Sequence, residues 1–275
     1  MASQLRPEIL EHYQAVPESE RLEFGPSQLE FVRTQEIIGR HLADRPRVIL
    51  DVGGGAGAYA LWLAGLGHEV HLIDPVPKHV EQARARSAAA PRPIASCRVG
   101  DARALDRADQ SVDVILLFGP LYHLVDRDER RQALQEARRV LIPGGILFGA
   151  AISRFASALD GLARDLLADP AFAPIVDQDL ATGIHQNPTS KIDYFTTAYF
   201  HRPEELEQEI REAGFLVQEV VGLEGAGWLL PDFEQRWRDP RRREDLIRIA
   251  KALGSEPEIR GLSAHLLAVA RRPDS

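Results

Sequence analysis

Residues Val48-Ile49-Leu50-Asp51-Val52-Gly53-Gly54-Gly55-Ala56-Gly57 put four glycines directly after a short apolar run that carries one acid near its end. The run predicts a buried β-strand. The glycines predict a turn in which backbone approaches a ligand with no Cβ in the way. The apolar stretch that follows, about Ala58 to Leu66, predicts a helix whose first amides face the same ligand. Gly53, Gly55 and Ala58 satisfy the G-x-G-x-x-G/A spacing of dinucleotide-binding turns. Alone, this turn leaves the nucleotide open, and the segments after it narrow the choice.

Val70-His71-Leu72-Ile73-Asp74 reads as a second buried strand ending in an acid, 19 positions after Gly55, where such folds place a carboxylate for ribose hydroxyls. Gly100-Asp101-Ala102 follows a short third strand, Ser96 to Val99. A fourth strand, Val112 to Leu117, runs into Phe118-Gly119-Pro120-Leu121-Tyr122-His123-Leu124. A helix, Arg139-Val140-Leu141-Ile142-Pro143-Gly144-Gly145 and a fifth strand, Ile146 to Ala150, come next. This ordered series resembles class I S-adenosylmethionine (SAM) methyltransferases, and is most similar to their small-molecule, ubiquinone/menaquinone-methyltransferase-like branch. The resemblance is dense over about residues 45 to 150 and looser, carried by strand pattern, to the C-terminus. An NAD-dependent oxidoreductase would share the first two elements, but has no reason to carry the other three.

The resemblance implies SAM as cofactor and assigns residues to it. Asp51 orients the turn and faces the amino end of the methionine through water. Gly53 and Gly55 permit the close pass. Asp74 accepts from the ribose hydroxyls, Asp101 from the adenine amino group with Ala102 beside the ring, and Phe118 and Gly119 lie near the methionine part. It also implies a Rossmann-like α/β fold of seven strands in the order 3-2-1-4-5-7-6, the last strand antiparallel.

Punctuation supplies the rest of the architecture. Ser27 is a candidate cap for a helix from Gln28 to Leu42, with Leu29, Val32, Ile37, Ile38 and Leu42 inward. Asp128 is a candidate cap for the helix before the fifth strand, with Leu134, Ala137 and Val140 inward and Gly144 as its stop. Pro203 suits the first turn of a helix that ends at Gly214. Phe215 to Val221 and Ala264 to Ala270 read as the sixth and seventh strands. Strands alternating with helices imply a parallel sheet, whose ligands bind beyond the carboxyl ends of the strands. Residues 1–44 form an N-terminal helical lid segment and residues 45–275 the main domain, with lid or substrate insertions at 152–202 and 222–262. The segment before Gln28 and both insertions leave or reach the same carboxyl-end face.

Composition bounds the partners. The 275-residue chain carries a formal charge of −8, so a polyanionic nucleic acid is disfavoured, and acids interrupt the arginines of Arg236 to Arg243. A single cysteine, Cys97, excludes a disulfide framework and a cysteine metal cluster. No apolar run approaches the roughly 20 residues of a membrane span, and a signal-peptide core is missing, so a cytoplasmic monomer or homodimer without a membrane partner is expected.

For the chemistry, His123 is the candidate catalytic base, because it follows the fourth strand and histidine titrates near neutrality; contact with SAM or with a backbone group is the other reading. The first insertion holds His185, Asn187, Tyr194, Phe195, Thr196, Thr197, Tyr199 and His201, which suit either an aromatic-walled pocket or an amphipathic strand. Tyr122, His185, Tyr194, Tyr199 and Trp228 are the candidate substrate-binding residues. Tyr13, Arg21 and Arg33 read as solvent-facing, with the SAM carboxylate as the alternative. The acids of the insertions show no ligand spacing with histidines, so no metal is expected. The expectation is methyl transfer from SAM to oxygen or nitrogen of a small molecule. The alternatives are a peptide or protein side chain as acceptor, or a SAM-binding protein that transfers nothing.

Overall fold

A computed structural model describes residues 5–42 and 45–274. Residues 1–4, 43, 44 and 275, which bound the expected N-terminal segment and domain, lie outside the described residues. Among the described residues nine strands form the central sheet: β1 (Val48–Val52), β2 (Glu69–Asp74), β3 (Ser96–Val99), β4 (Val112–Leu117), β5 (Leu141–Ser153), β6 (Ile184–His185), β7 (Ala198–His201), β8 (Leu216–Gly222) and β9 (His265–Arg271). The main order is β3-β2-β1-β4-β5-β9-β8, parallel throughout except β9, which runs antiparallel to both β5 and β8. With β8 and β9 counted as the sixth and seventh strands, this is the expected 3-2-1-4-5-7-6. The two additional strands lie between β5 and β8 in sequence: β7 pairs in parallel with the end of β5 through Ile152–Phe200 and Ser153–His201, and β6 pairs with β7.

Side chains alternate across each strand, so each strand feeds two cores. Leu50, Val52, Ile115, Leu117, Leu147 and Ala268 face one core with Ala133, Leu134, Ala137 and Val140 of the helix Arg127–Val140. Ile49, Leu72, Val114, Leu116, Phe148 and Val269 face the other. There they meet Ile37 and Ile38 of the helix Ser27–His41, and Tyr59, Ala60 and Leu63 of the helix Ala58–Gly65. The same alternation puts Asp51 on the face of Ile49, under the latter helix, where it is fully buried.

Local details differ from the sequence reading. Ser27 lies inside its helix, behind Pro26, and makes no side-chain cap. The cap of Arg127–Val140 is Asp126, whose carboxylate accepts from the Asp128 N–H at 2.7 Å; Asp128 is the second helical residue, where its charge favours the helix N-terminus. That helix runs directly into β5 at Leu141, so Gly144 is not its stop. It sits within β5 at φ +72°, where the pairing with β4 shifts register. Arg33 is buried and paired with Glu36, not solvent-facing. Among the described residues no helix is long and apolar enough to cross a membrane.

Candidate cofactor and acceptor site

The glycine turn leaves β1 at the carboxyl edge of the sheet. Gly53, Gly55 and Gly57 have φ of +78°, +54° and +85°, a region that costs most L-residues strain. A Cβ on Gly53 would stand 2.2 Å from the Phe118 carbonyl oxygen, so β1 and β4 end too close together for any side chain there. A Cβ on Gly54 would stand 2.7 Å from Oδ2 of Asp51, which therefore lies directly beneath the turn. Neither oxygen of Asp51 has a hydrogen-bond partner among the described residues. Burial, and after it the negative charge of Asp74, pushes its carboxyl up to about 7. A buried, unmatched carboxylate under a turn bare of side chains fits a ligand with a cationic group above it.

Asp74, at the end of β2, holds the far side of the turn. Its Oδ2 accepts from the Gly55 N–H at 2.9 Å; its Oδ1 accepts from the Val76 N–H at 2.9 Å and lies 3.2 Å from Nδ1 of His79. Asp101, after β3, accepts from the Arg103 backbone N–H at 2.8 Å and pairs with its guanidinium, which also reaches Glu129. Gly53, Gly55, Asp74, Asp101, Ala102, Gly119, Tyr122 and His123 line one narrow cavity. Val76, His79, Arg103, Leu5 and Ile9 line it too, none of which the motifs single out, and so does Tyr13, which is therefore not simply solvent-facing. Phe118 lies in an adjoining cleft on the other side of the turn, with Gly53, Gly55, Tyr59, Arg21 and Tyr122.

Tyr122 also borders a third and larger cavity, of about 560 Å³, so this one side chain touches all three spaces. His185, Tyr194 and Trp228 line the larger cavity, beside Phe172, Phe195 and Phe200. His185 is held on both ring nitrogens, at 2.8 Å from Asp179 and 2.7 Å from the Tyr194 carbonyl oxygen, and Asp179 accepts from the Ser157 hydroxyl as well. The Trp228 indole N–H donates to the Leu262 carbonyl at 2.9 Å. Tyr199 borders none of these spaces. Its ring lies under the Arg130 guanidinium at 3.8 Å, and its hydroxyl lies 3.3 Å from Arg154.

His123 ends the short helix Pro120–His123, with Nε2 2.6 Å from the Tyr13 hydroxyl. Burial lowers its pKa to about 4, so the ring is neutral. On the wall of the large cavity stands a cluster the sequence spacing could not show. Arg21 donates to both oxygens of Glu30 at 2.7 and 3.0 Å, and His265 Nδ1 lies 2.5 Å from Glu224 and 3.6 Å from Glu30. Glu30, Glu224 and His265 come from three distant parts of the chain, and they are the one group of acids and histidines among the described residues with the spacing of metal ligands.

Comparison with known proteins agrees with this geometry. Residues 50–149 match the family described as "Methyltransferase domain". The chain is 29% identical over 211 residues to a protein named ubiquinone biosynthesis O-methyltransferase from Azorhizobium caulinodans, a match covering 72% of this chain and 73% of that one. It is 38% identical over 111 residues to a ubiquinone/menaquinone biosynthesis C-methyltransferase from Acidiphilium cryptum, covering 39% of this chain and 43%, less than half, of that one. A crystal structure of a SAM-dependent methyltransferase from Methanosarcina mazei shares the fold, with TM-score 0.57, 20% identity, and coverage of 87% of this chain and 98% of that one. Together the matched domain, the named relatives and the shared fold support a class I SAM-dependent methyltransferase. SAM is its cofactor and a methyl acceptor its second ligand.

Proposed function

We propose that the enzyme moves the methyl group of SAM to an oxygen or nitrogen of a small molecule held in the cavity of about 560 Å³, without a metal ion. The observation that carries this reading is the position of Tyr122, which borders the cavity under Asp74, the cleft beside the glycine turn and the large aromatic cavity together. A concave, mostly aromatic and aliphatic space of that size suits a small organic acceptor with few polar groups. The relative named for O-methylation supports oxygen as the accepting atom.

When bound, SAM supplies a sulfonium-activated methyl group; the chain supplies position, dehydration and charge. In this reading Asp74 meets the ribose hydroxyls, and Asp101 and Ala102 flank the adenine. Gly53 and Gly55 let the backbone close on the ligand, and Phe118 and Gly119 border the methionine part. The unmatched carboxylate of Asp51 balances the ligand's ammonium group. Tyr122, His185, Tyr194 and Trp228 form the acceptor wall, and the bond network of His185 fixes that wall rather than leaving a reactive nitrogen. His123, neutral and faced by the Tyr13 hydroxyl, is suited to holding Tyr13 at the mouth of the site more than to removing a proton, because a base with so low a pKa has little affinity for one. In the Glu30–Glu224–His265 group, Arg21 occupies Glu30 and His265 occupies Glu224, which argues against a resident cation.

Calorimetry with SAM, followed by transfer of labelled methyl to phenols, aryl amines and short peptides, tests the reading. The expected result is SAM binding with transfer to phenols or amines. Transfer to peptides alone would replace the small acceptor by a side chain, and SAM binding with no transfer would replace the enzyme by a binding protein.

A further inference from the structure

Because β9 runs antiparallel, its first residue, His265, stands at the same sheet edge as the carboxyl ends of the parallel strands. Glu224 follows the end of β8 at that edge. Its Oε2 accepts from the His265 backbone N–H at 3.1 Å, while its Oε1 lies 2.5 Å from the ring Nδ1. The ring is thus gripped on one side by a buried carboxylate. The ring meets Glu224 and Glu30 through Nδ1, and the 24% of the side chain that remains exposed opens on the large cavity, which His265 and Glu224 both line. Arg21 borders both that cavity and the cleft beside the glycine turn, and its partner Glu30 lies 3.6 Å from the His265 ring. The histidine therefore sits two contacts from a residue that borders the cleft beside the glycine turn.

Resting on the function proposed above, we infer that His265, oriented by Glu224, is the catalytic base that takes the proton from the acceptor's hydroxyl group. The acceptor oxygen forms a bond to the methyl carbon as the carbon–sulfur bond breaks. The sulfur keeps the electron pair and leaves as the neutral thioether, and the hydroxyl proton passes to Nε2. Glu224 holds the ring with Nδ1–H toward itself, which leaves the Nε2 lone pair toward the cavity, and it stabilises the imidazolium that forms. Three charged groups face the ring: Glu224 and Glu30 favour its protonated form, and Arg21 opposes it. The net direction is upward from 6.5 despite burial, so turnover rises with pH through a value above that of an ordinary histidine.

The test uses the full chain, labelled SAM and two probes. One is 2-naphthol, a weakly acidic phenol. The other is 4-nitrophenol, already ionised in mildly alkaline buffer. His265→Gln is expected to lower kcat for 2-naphthol by ~100-fold or more, the usual scale for loss of a general base. It is expected to leave 4-nitrophenol within a few-fold, because that proton is already gone. Glu224→Gln, which removes the charge but keeps an acceptor, is expected to move the 2-naphthol pH profile to lower pH. SAM binding and thermal melting of both variants establish that they are folded. Equal losses on both probes, or an effect on KM alone, would overturn the base and leave His265 an anchor. Transfer to neither probe by the unaltered enzyme, with SAM bound, would overturn the acceptor reading and the base with it.

Discussion

The Tyr13 hydroxyl stands 2.6 Å from Nε2 of His123, so the N-terminal helix Pro7–Ala15 is tied to the end of β4 across 110 residues of sequence. The same tyrosine ring packs edge-on against His79, whose Nδ1 faces Asp74. One side chain thus links the N-terminal segment to both sides of the narrow cavity. Tyr13→Phe is expected to cost about 1 kcal/mol of stability, the usual net worth of one such bond, measured by urea unfolding. A loss of less than a few tenths would show that the contact holds nothing.

His123 carries a pH signature. The folded chain protonates it only near pH 4, while the unfolded chain protonates it near 6.5. Between those values the unfolded state binds the extra proton, so this group's contribution is present above 6.5 and is lost as pH falls to about 4. His123→Asn is expected to flatten that part of the stability profile. An unchanged acid slope in chemical unfolding would place the titration elsewhere.

Asp51 runs the other way. Its folded pKa is raised from 3.8 to about 7, so the folded state binds the extra proton, and this group makes stability fall as pH rises through that window. A cationic ligand above the turn favours the ionised form, so SAM binding is expected to release a proton below pH 7 and to tighten as pH rises toward it. Asp51→Asn is expected to abolish this dependence. Calorimetry in two buffers of different ionisation enthalpy counts the proton directly; no proton release in the unaltered enzyme would remove Asp51 from the ligand's surroundings.

The sheet order, and the meeting of the motif residues around one narrow cavity, were legible because local sequence dictates them. Each strand is a short apolar run, each acid stands at a run's end, and Gly53, Gly55, Asp74, Asp101, Gly119 and His123 need only their strands in order to meet. The lining of the large cavity was less legible. Glu30 lies in a helix, Glu224 just beyond β8 and His265 at the start of an apolar strand, so no spacing rule brings them together. Tyr199 looked like its neighbours Tyr194 and Phe195 because composition says nothing about which side of β7 faces the cavity. Alternation in β7 turns Phe200 toward the cavity and Tyr199 toward Arg130. Gly144 resembled a helix stop because a glycine after a helix usually is one.

Asp74→Ala is expected to weaken SAM binding by ~10- to 100-fold, matching the loss of hydrogen bonds to a charged acceptor. Part of that loss has a structural origin, because Asp74 also fixes the Gly55 and Val76 amides. Asp74→Asn keeps one acceptor oxygen and separates the two effects. It is expected to bind more tightly than the alanine variant and less tightly than the unaltered enzyme. Affinity unchanged in Asp74→Ala would sink the ribose assignment.

Arg130 and Tyr199 define a site whose work is structural. The Arg130 guanidinium is buried, pairs with both oxygens of Glu209 at 2.9 and 2.7 Å, and donates to the carbonyls of Leu124 and Val125 at 3.0 and 2.7 Å. It thereby anchors the turn that follows Tyr122 and His123. Arg130 and His201 together hold Glu209 down to about 2 against the opposing effect of burial. Removing one partner of a buried pair leaves the other charge unmatched, so Arg130→Ala is expected to destabilise by about 3–5 kcal/mol. Tyr199→Phe keeps the ring beneath the guanidinium and is expected to leave the KM of any turned-over phenol unchanged. A raised KM with an unaltered melting temperature would return Tyr199 to the acceptor site.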